Sequence, residues 1–240
     1  MNASVKKRPA ENAVAEECPR CGGYGYVIAK NVASPCDCGI IERNGSASRF
    51  DVAAIPARYA NKTFDTFRVP KGDRQRAQLL ESADSYATSF SKGESSGLML
   101  RGAPGSGKTH IAISILREVI ARGFTGKYWN FNDLLTRLRD TYREQSPLSE
   151  EELLHPADSM DLLILDDVGA ENASEWVRDR LYLIINRRYE SAKATIITTN
   201  LDEADMESRV GARIASRLCE MCDVQFPAFP AQDWRKANMR

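Results

Sequence analysis

The sequence predicts an α/β protein, a mostly parallel sheet covered by helices on both faces. From Gly97 onward, short apolar runs alternate with stretches of helical period, and parallel neighbours need a crossover of that kind, usually a helix. A glycine-rich turn, Gly102 to Gly107, separates the first apolar run from the helical stretch after it. A later run, Leu162-Leu163-Ile164-Leu165, is apolar throughout, as a strand buried on both faces requires, and ends in Asp166 and Asp167.

Residues 1–45 stand apart from that pattern. The first 17 are polar, and 18–39 form a Gly- and Cys-rich knot with too few apolar residues for its own core, so something other than burial must fold it. Residues 46–92 are expected to be linker and leading helix. Asn44 to Asp51 has the small residues of a linker, and Ile55-Pro56 with the Phe64/Phe67 pair forms a segment that packs on the main domain. Residues 74–91 follow as a weakly amphipathic helix through Leu79, Leu80, Ala83 and Ala87. The core is expected to fill 93–240. Its strands are placed at 97–100, 127–131, 161–165, 194–198 and 222–226, and its helices at 109–122, 132–143, 174–191 and 209–220.

Composition bounds what such a chain does. With 33 Lys and Arg against 33 Asp and Glu the formal net charge is zero, which excludes a basic coat as the main device. A content of 42% hydrophobic and 28% charged residues suits a packed core under a solvated surface. No apolar run reaches the roughly 18 residues of a membrane helix, and no hydrophobic signal core follows Met1 to Arg8. The chain is therefore expected in the cytoplasm, without a membrane partner. Six cysteines in a reducing compartment point to a metal before disulfides. Cys18-x2-Cys21 and Cys36-x-Cys38 supply four thiolates, which satisfy tetrahedral Zn²⁺, and coordination folds a segment that has no core. Cys219 and Cys222 have no further Cys or His beside them and read as buried thiols on one helix face.

The run Gly102-Ala103-Pro104-Gly105-Ser106-Gly107-Lys108-Thr109 fits G-x-x-x-x-G-K-[ST] at every fixed position, between a predicted strand and a predicted helix. Its glycines let several backbone N–H groups point at one place, and the helix N-terminus adds a positive dipole there. Lys108 is expected on the β- and γ-phosphates of ATP and the Thr109 hydroxyl on Mg²⁺. His110 directly follows and completes the nucleotide-binding stretch 102–110; lone histidines, His110 and His155 receive no metal role. The two acids reach the C-terminal end of a strand, where ligands of open α/β sheets sit. Asp166 is assigned to Mg²⁺ and Asp167 to the attacking water, because consecutive strand residues point to different sides. Asn200, after Thr198 and Thr199, has an amide suited to orienting that water and sensing the γ-phosphate, although Asn also favours a plain strand-ending turn.

These residues resemble the AAA+ ATPases, and within them the DnaC/IstB-like group of helicase loaders and transposition helper ATPases. The resemblance runs from about Ile55 to Arg235. It rests on Ile55-Pro56-Ala57-Arg58 with Phe64, the glycine-rich loop, Leu165 to Gly169, Ile185-Asn186-Arg187-Arg188-Tyr189, Thr195 to Leu201, Arg213 to Leu218, and Asp233-Trp234-Arg235. It implies an arginine finger, Arg213 or Arg217, that reaches the γ-phosphate held by a neighbouring copy; a guanidinium suits the role through its permanent charge and rigid donor fork. Two departures matter. The second acid is Asp167 where many AAA+ proteins carry Glu, and the chain ends soon after Trp234, so the usual C-terminal helical lid is expected to be missing.

The resemblance also implies single-stranded DNA contacts through the helix after the second core strand. There Arg137, Arg139 and Arg143 project away from the stripe of Leu134, Leu135, Leu138 and Tyr142, as they would on an ordinary solvated helix face too. Some loaders of the group carry a zinc module before the core, where it docks the helicase; Arg20, Lys30 and Tyr24 or Tyr26 leave DNA contact open for it here. Nine acids and no Lys or Arg lie in 144–171, whereas 209–240 carries six basic and three acidic residues, 6 − 3 = +3. Head-to-tail copies would bring those edges together. The expectation is an ATP-hydrolysing AAA+ switch, self-assembled into a ring or spiral, that loads a replicative, hexameric helicase onto single-stranded DNA. The alternatives are an IstB-like transposition helper, a P-loop small-molecule kinase, and a nucleotide-gated binding module with negligible turnover.

Overall fold

The computed structural model describes residues 26–29, 32–35, 49–50, 52–94, 96–143, 146, 148–170, 174–223 and 229. The chain divides into two compact units, 1–48 and 49–240. The first contains an antiparallel hairpin of β1 (Tyr26–Ala29) and β2 (Val32–Pro35). Cys18, Cys21, Cys36 and Cys38 lie outside the described residues, as do Asp233 to Arg235 and the stretch on which the expectation about a lid rests.

The second unit begins with a leading segment that makes a short 3-10 turn at Ala57–Tyr59 and continues into α1 (Arg74–Ser89). Then come β3 (Gly97–Arg101), α2 (Lys108–Ala121), β4 (Gly126–Asn130), α3 (Phe131–Asp140) and α4 (Glu150–Ser159). They are followed by β5 (Leu162–Asp166), α5 (Glu175–Glu190), β6 (Ala194–Thr199), α6 (Glu203–Val210), α7 (Ala212–Met221) and β7 (Cys222–Asp223). The strands pair in the order β4-β5-β6-β3-β7, every pair parallel. The first core strand therefore lies between β6 and β7, and β6 separates it from the acid-bearing β5.

Strand alternation builds two apolar layers. Leu98, Leu100, Tyr128, Leu162, Ile164 and Ile196 join α1, α2 and the leading segment on one face. Met99, Trp129, Leu163, Leu165 and Ile197 join α3 to α7 on the other. Each fully buried Leu or Ile contributes about 1.5–3 kcal/mol, and a one-residue slip would send every one to the wrong layer, so the register is firmly set. α2 is buried almost all round, from Ile111 through Ile120, because it lies between the sheet and α1.

Helix starts follow their caps. Asp73, Asn130, Ser149, Ser174 and Asp202 each accept a backbone N–H of the first turn, and Ser149 with Glu152 forms a capping box. By contrast, α2 and α7 start at Gly107 and Gly211 without a side-chain cap. The cap at Asn130 also explains why the strand expected at 127–131 stops one residue short, with Phe131 opening α3. The single helix expected over 209–220 is broken at Gly211, whose φ of +94° no helix accommodates; α6 ends there and α7 begins. α4 and most of α6 have no counterpart among the helices that the sequence predicts.

Arg188 on α5 is fully buried. Its guanidinium donates to the carbonyls of Ala157, Met160, Asp161 and Ala194 and to Thr195 Oγ1, so it ties the end of α4 to the starts of β5 and β6. Burial lowers its pKa to about 10, against the pull of Asp158 and Asp161. Among the described residues no helix is long and apolar enough to cross a membrane.

Candidate functional site

The glycine-rich loop after β3 is braced from the leading segment. Gly107 has φ +109°, and a Cβ there would stand 2.8 Å from Phe67 Cε2, so glycine is required both by backbone angle and by the ring seated on it. Arg76, in the first turn of α1, is 3% exposed and reaches back to donate to Ser106 O at 3.0 Å and Arg68 O at 3.2 Å. Its guanidinium lies over the Phe67 ring at 5.3 Å and beside Asp73 at 3.6 Å. Burial lowers its pKa from the usual value while Asp73 opposes the shift. The uncapped start of α2 leaves its first N–H groups turned into this loop, an arrangement suited to an anion.

Lys108 is buried at the loop's centre. Its Nζ donates to Gly102 O at 2.8 Å, Ala103 O at 2.9 Å and Asn200 Oδ1 at 2.7 Å. The ammonium is thus held at the loop mouth by the loop's own carbonyls.

Asp166, 2% exposed, ends β5 and receives three hydroxyls. Thr109 donates to Oδ1 at 2.8 Å and Thr198 to Oδ1 at 2.6 Å, while Tyr128 donates to Oδ2 at 2.7 Å. The donor set fits Mg²⁺: hard oxygens, with the Thr109 hydroxyl and an Asp166 oxygen 2.8 Å apart. Adjacent corners of an octahedron with ligands at about 2.0–2.1 Å lie about 2.9 Å apart.

Asp167 turns the chain out of β5 with φ +65°, a conformation Asp accepts more readily than most residues. Its N–H is received by Thr198 Oγ1 at 2.9 Å, and Val168 N–H by Thr198 O at 2.9 Å. Asn200 Nδ2 donates to Asp167 Oδ1 at 3.2 Å. Since Asn200 Oδ1 faces Lys108, one amide joins the loop lysine to the second acid, with its acceptor toward the cation and its donor toward the anion. That juxtaposition follows from β6 lying between β3 and β5. Lys108, Thr109, Asp166, Asp167 and Asn200 therefore converge at one end of the sheet.

His110 turns elsewhere. Its Nε2 lies 2.9 Å from Thr63 O and 3.2 Å from Thr66 Oγ1, and its ring meets Phe67 edge-on at 5.3 Å; a carbonyl only accepts, so Nε2 carries the proton. Arg213 and Arg217 share a face of α7 at i, i+4. Arg213 is exposed, whereas the Arg217 guanidinium lies over Tyr182 at 4.7 Å and Tyr189 at 5.4 Å. On α3 and just beyond, Arg137 is exposed, Arg139 lies 4.7 Å over Trp176, and Arg143 pairs with Asp140 at 3.2 Å. Tyr142, 56% exposed, lies edge-on to the same Trp176. Cys219 is exposed on α7 whereas Cys222 is buried on β7, because the helix ends at Met221, so the two are not a pair of buried thiols on one helix face. Part of the acidic stretch is matched within the chain: Glu150 pairs with Arg180, and Glu151 and Asp158 with Arg187.

Sequence reasoning missed Thr198, Tyr128 and Arg76 as parts of this site. Thr198 lies two residues before Asn200, inside the run that the sequence predicts as strand. For Tyr128 and Arg76 the sequence holds only weak signals, a hydroxyl on an apolar strand and a cation on the apolar face of α1.

A protein family described as "IstB-like ATP binding protein" matches residues 45–219. The replicative helicase loader DnaC of Buchnera aphidicola subsp. Acyrthosiphon pisum is 32% identical over 166 residues, 69% of this chain and 66% of that protein. The chain thus spans just under two thirds of that relative's length. The replicative helicase loader DnaC of Escherichia coli K12 is 29% identical over 182 residues, 74% of this chain and 73% of that protein. Among solved structures, a crystal structure of the DnaC helicase loader superposes with a TM-score of 0.65 at 30% identity, covering 73% of this chain and all of that one.

Proposed function

The chain belongs to the IstB-like ATP binding protein family, and from that premise we propose that it is an ATP-driven helicase loader that delivers a replicative helicase onto single-stranded DNA. The observation that carries the reading is the convergence of Lys108, Asn200 and Asp167 beside the Thr109–Asp166 pair, a set suited to binding and hydrolysing a triphosphate.

The loop amides from Gly102 to Thr109 and the start of α2 bind the phosphates, and Lys108 moves from its carbonyl partners to the β- and γ-phosphates. Thr109 and Asp166 would hold Mg²⁺, which when bound neutralises charge on the phosphate oxygens. Asp167 polarises the attacking water, and Asn200, in contact with both Lys108 and Asp167, orients it and senses loss of the γ-phosphate. Hydrolysis is completed by Arg213 or Arg217 from a neighbouring copy in a ring or spiral. Arg217, held over two tyrosines, is the pre-set member of the pair. Arg137, Arg139 and Arg143 bind the sugar–phosphate strand, with the exposed Tyr142 beside them as a ring on which a base stacks. Cys18, Cys21, Cys36 and Cys38 bind zinc in a helicase-docking module.

The test is ATP turnover with and without single-stranded DNA for wild type, Lys108→Ala and Asp167→Asn, paired with capture from host lysate in ATP and in ADP. ATP-dependent turnover lost in both variants, with a replicative helicase captured in one nucleotide state, supports the reading. The resemblance to IstB-like transposition helpers carries a second reading, a transposase partner, and its capture in place of a helicase would assign the chain to transposition.

A further inference from the structure

Tyr128 lies on β4, the edge strand of the described sheet farthest from β3 and its loop. Its register partner on β5 is Ile164, so its side chain, on the same face as Asp166, reaches two residues along the neighbouring strand to donate to Asp166 Oδ2 at 2.7 Å. The ring is 4% exposed. An Asp carboxylate has a broad χ2 and nearly equivalent oxygens. Here the two are unlike: Oδ1 faces Thr109 and Thr198, and Oδ2 takes the tyrosine. A donor on one oxygen removes the freedom to rotate and commits the other to the Thr109 side.

Tyr128 is itself held. Its ring stands edge-on to Tyr59 at 5.9 Å, and the Tyr59 hydroxyl accepts from Arg58 at 2.5 Å. Burial first, then the charge of Asp166, raises the pKa of Tyr128 well above the usual phenol value, so the hydroxyl remains a donor. Arg58 in turn has its pKa raised by Tyr59 first and, more weakly, by Tyr128 and Asp166. The leading segment thus reaches the acid through two aromatic rings.

We propose that Tyr128 is a positioning residue for the metal-side carboxylate, fixing which Asp166 oxygen faces Thr109, and that Tyr59 holds it in place from the leading segment. The proposal rests on the reading of Asp166 as a Mg²⁺ ligand. The experiment keeps the two apart by titrating a fluorescent ATP analogue onto the full chain in EDTA and over a Mg²⁺ series. Wild type is expected to bind more tightly with Mg²⁺ and Asp166→Asn to lose that gain; no gain in wild type, or an undiminished gain in Asp166→Asn, overturns the reading of the site itself. With that established, Tyr128→Phe, which keeps the ring, should need about tenfold more Mg²⁺ for half-maximal enhancement, the usual scale for removing a partner that orients a ligand. Its affinity in EDTA should stay at the wild-type value while its melting temperature falls by only a few degrees for the lost buried hydrogen bond, and Tyr59→Ala, which removes the ring packed on Tyr128, should shift the Mg²⁺ requirement in the same direction by less. An unchanged Mg²⁺ requirement in Tyr128→Phe, or an equal loss of affinity with and without the metal, overturns the proposal.

Discussion

At the scale of single residues, the chemistry depends on how few side chains serve two neighbours at once. Asn200 faces both Lys108 and Asp167, and Thr198 receives the Asp167 N–H while donating to Asp166. Lys108→Ala should weaken ATP binding by about tenfold or more, the scale of one charge-assisted hydrogen bond, as measured by equilibrium titration. Asp167→Asn should leave that affinity near wild type and lower kcat by about 100-fold or more, the usual worth of a general base. Asn also tolerates the left-handed backbone at this position, so the variant tests chemistry alone. Asp167→Glu is different: a longer side chain at φ +65° strains the turn by about 1 kcal/mol, so a lower melting temperature is expected and no gain in turnover. His110 gives a pH prediction. Burial first, and Lys62 with it, hold its pKa below the usual value against the opposing Thr63 carbonyl. The unfolded chain therefore takes up a proton near pH 6.5 that the folded chain takes up only at lower pH. Stability is full above that point and falls as pH drops from about 6.5 toward the folded value; melting curves of His110→Gln should show a flatter decline over this interval. The convergence of Lys108, Thr109, Asp166, Asp167 and Asn200 was legible because each belongs to a local signal, a glycine-rich turn or the polar end of an apolar run, although their partners lie as far as 92 positions away. Thr198, Tyr128 and Arg76 carry no such signal: each reads as part of an ordinary strand or helix, and only the strand register and helix packing bring them to the site.

At the scale of elements, the alternation of apolar runs and helical periods carried the parallel sheet, since a strand buried on both faces has an unmistakable composition. The helices were harder. α4 hid in an acidic run, although Ser149 and Glu152 spell a capping box at its start, and its Glu150, Glu151 and Asp158 have their arginine partners on α5. Arg187 and Arg188 entered the family resemblance as one motif, yet they act differently: Arg187 pairs at the surface, whereas Arg188 is sealed among carbonyls. Truncating Arg188 strands those carbonyls without a donor. Arg188→Ala should therefore destabilise the fold by about 3–5 kcal/mol in denaturant unfolding, far more than Arg187→Ala, whose exposed pairs contribute about 1 kcal/mol or less.

At the scale of the whole molecule, hydrolysis in the proposed assembly takes a second copy, because the arginine that reads the far end of the triphosphate comes from a neighbouring subunit. Mixing tests this directly. Lys108→Ala and Arg217→Ala subunits, each inactive alone, should regain measurable ATP turnover together, since some interfaces then join an intact loop to an intact arginine; no recovery on mixing sinks the assignment of Arg217 as the finger. The pairing of α4 acids with α5 arginines also lessens the charge left for a neighbour, so assembly should depend only modestly on salt. One feature of the sheet sets the room in which all this happens. With strands about 4.8 Å apart, β6 acts as a spacer that keeps the loop strand and the acid strand about 9.6 Å from one another. Were those two strands adjacent, the carboxylates would press directly on the terminal phosphate. The extra width instead leaves berth for an amide and a solvent molecule, the room that the proposed turnover of nucleotide by water calls for.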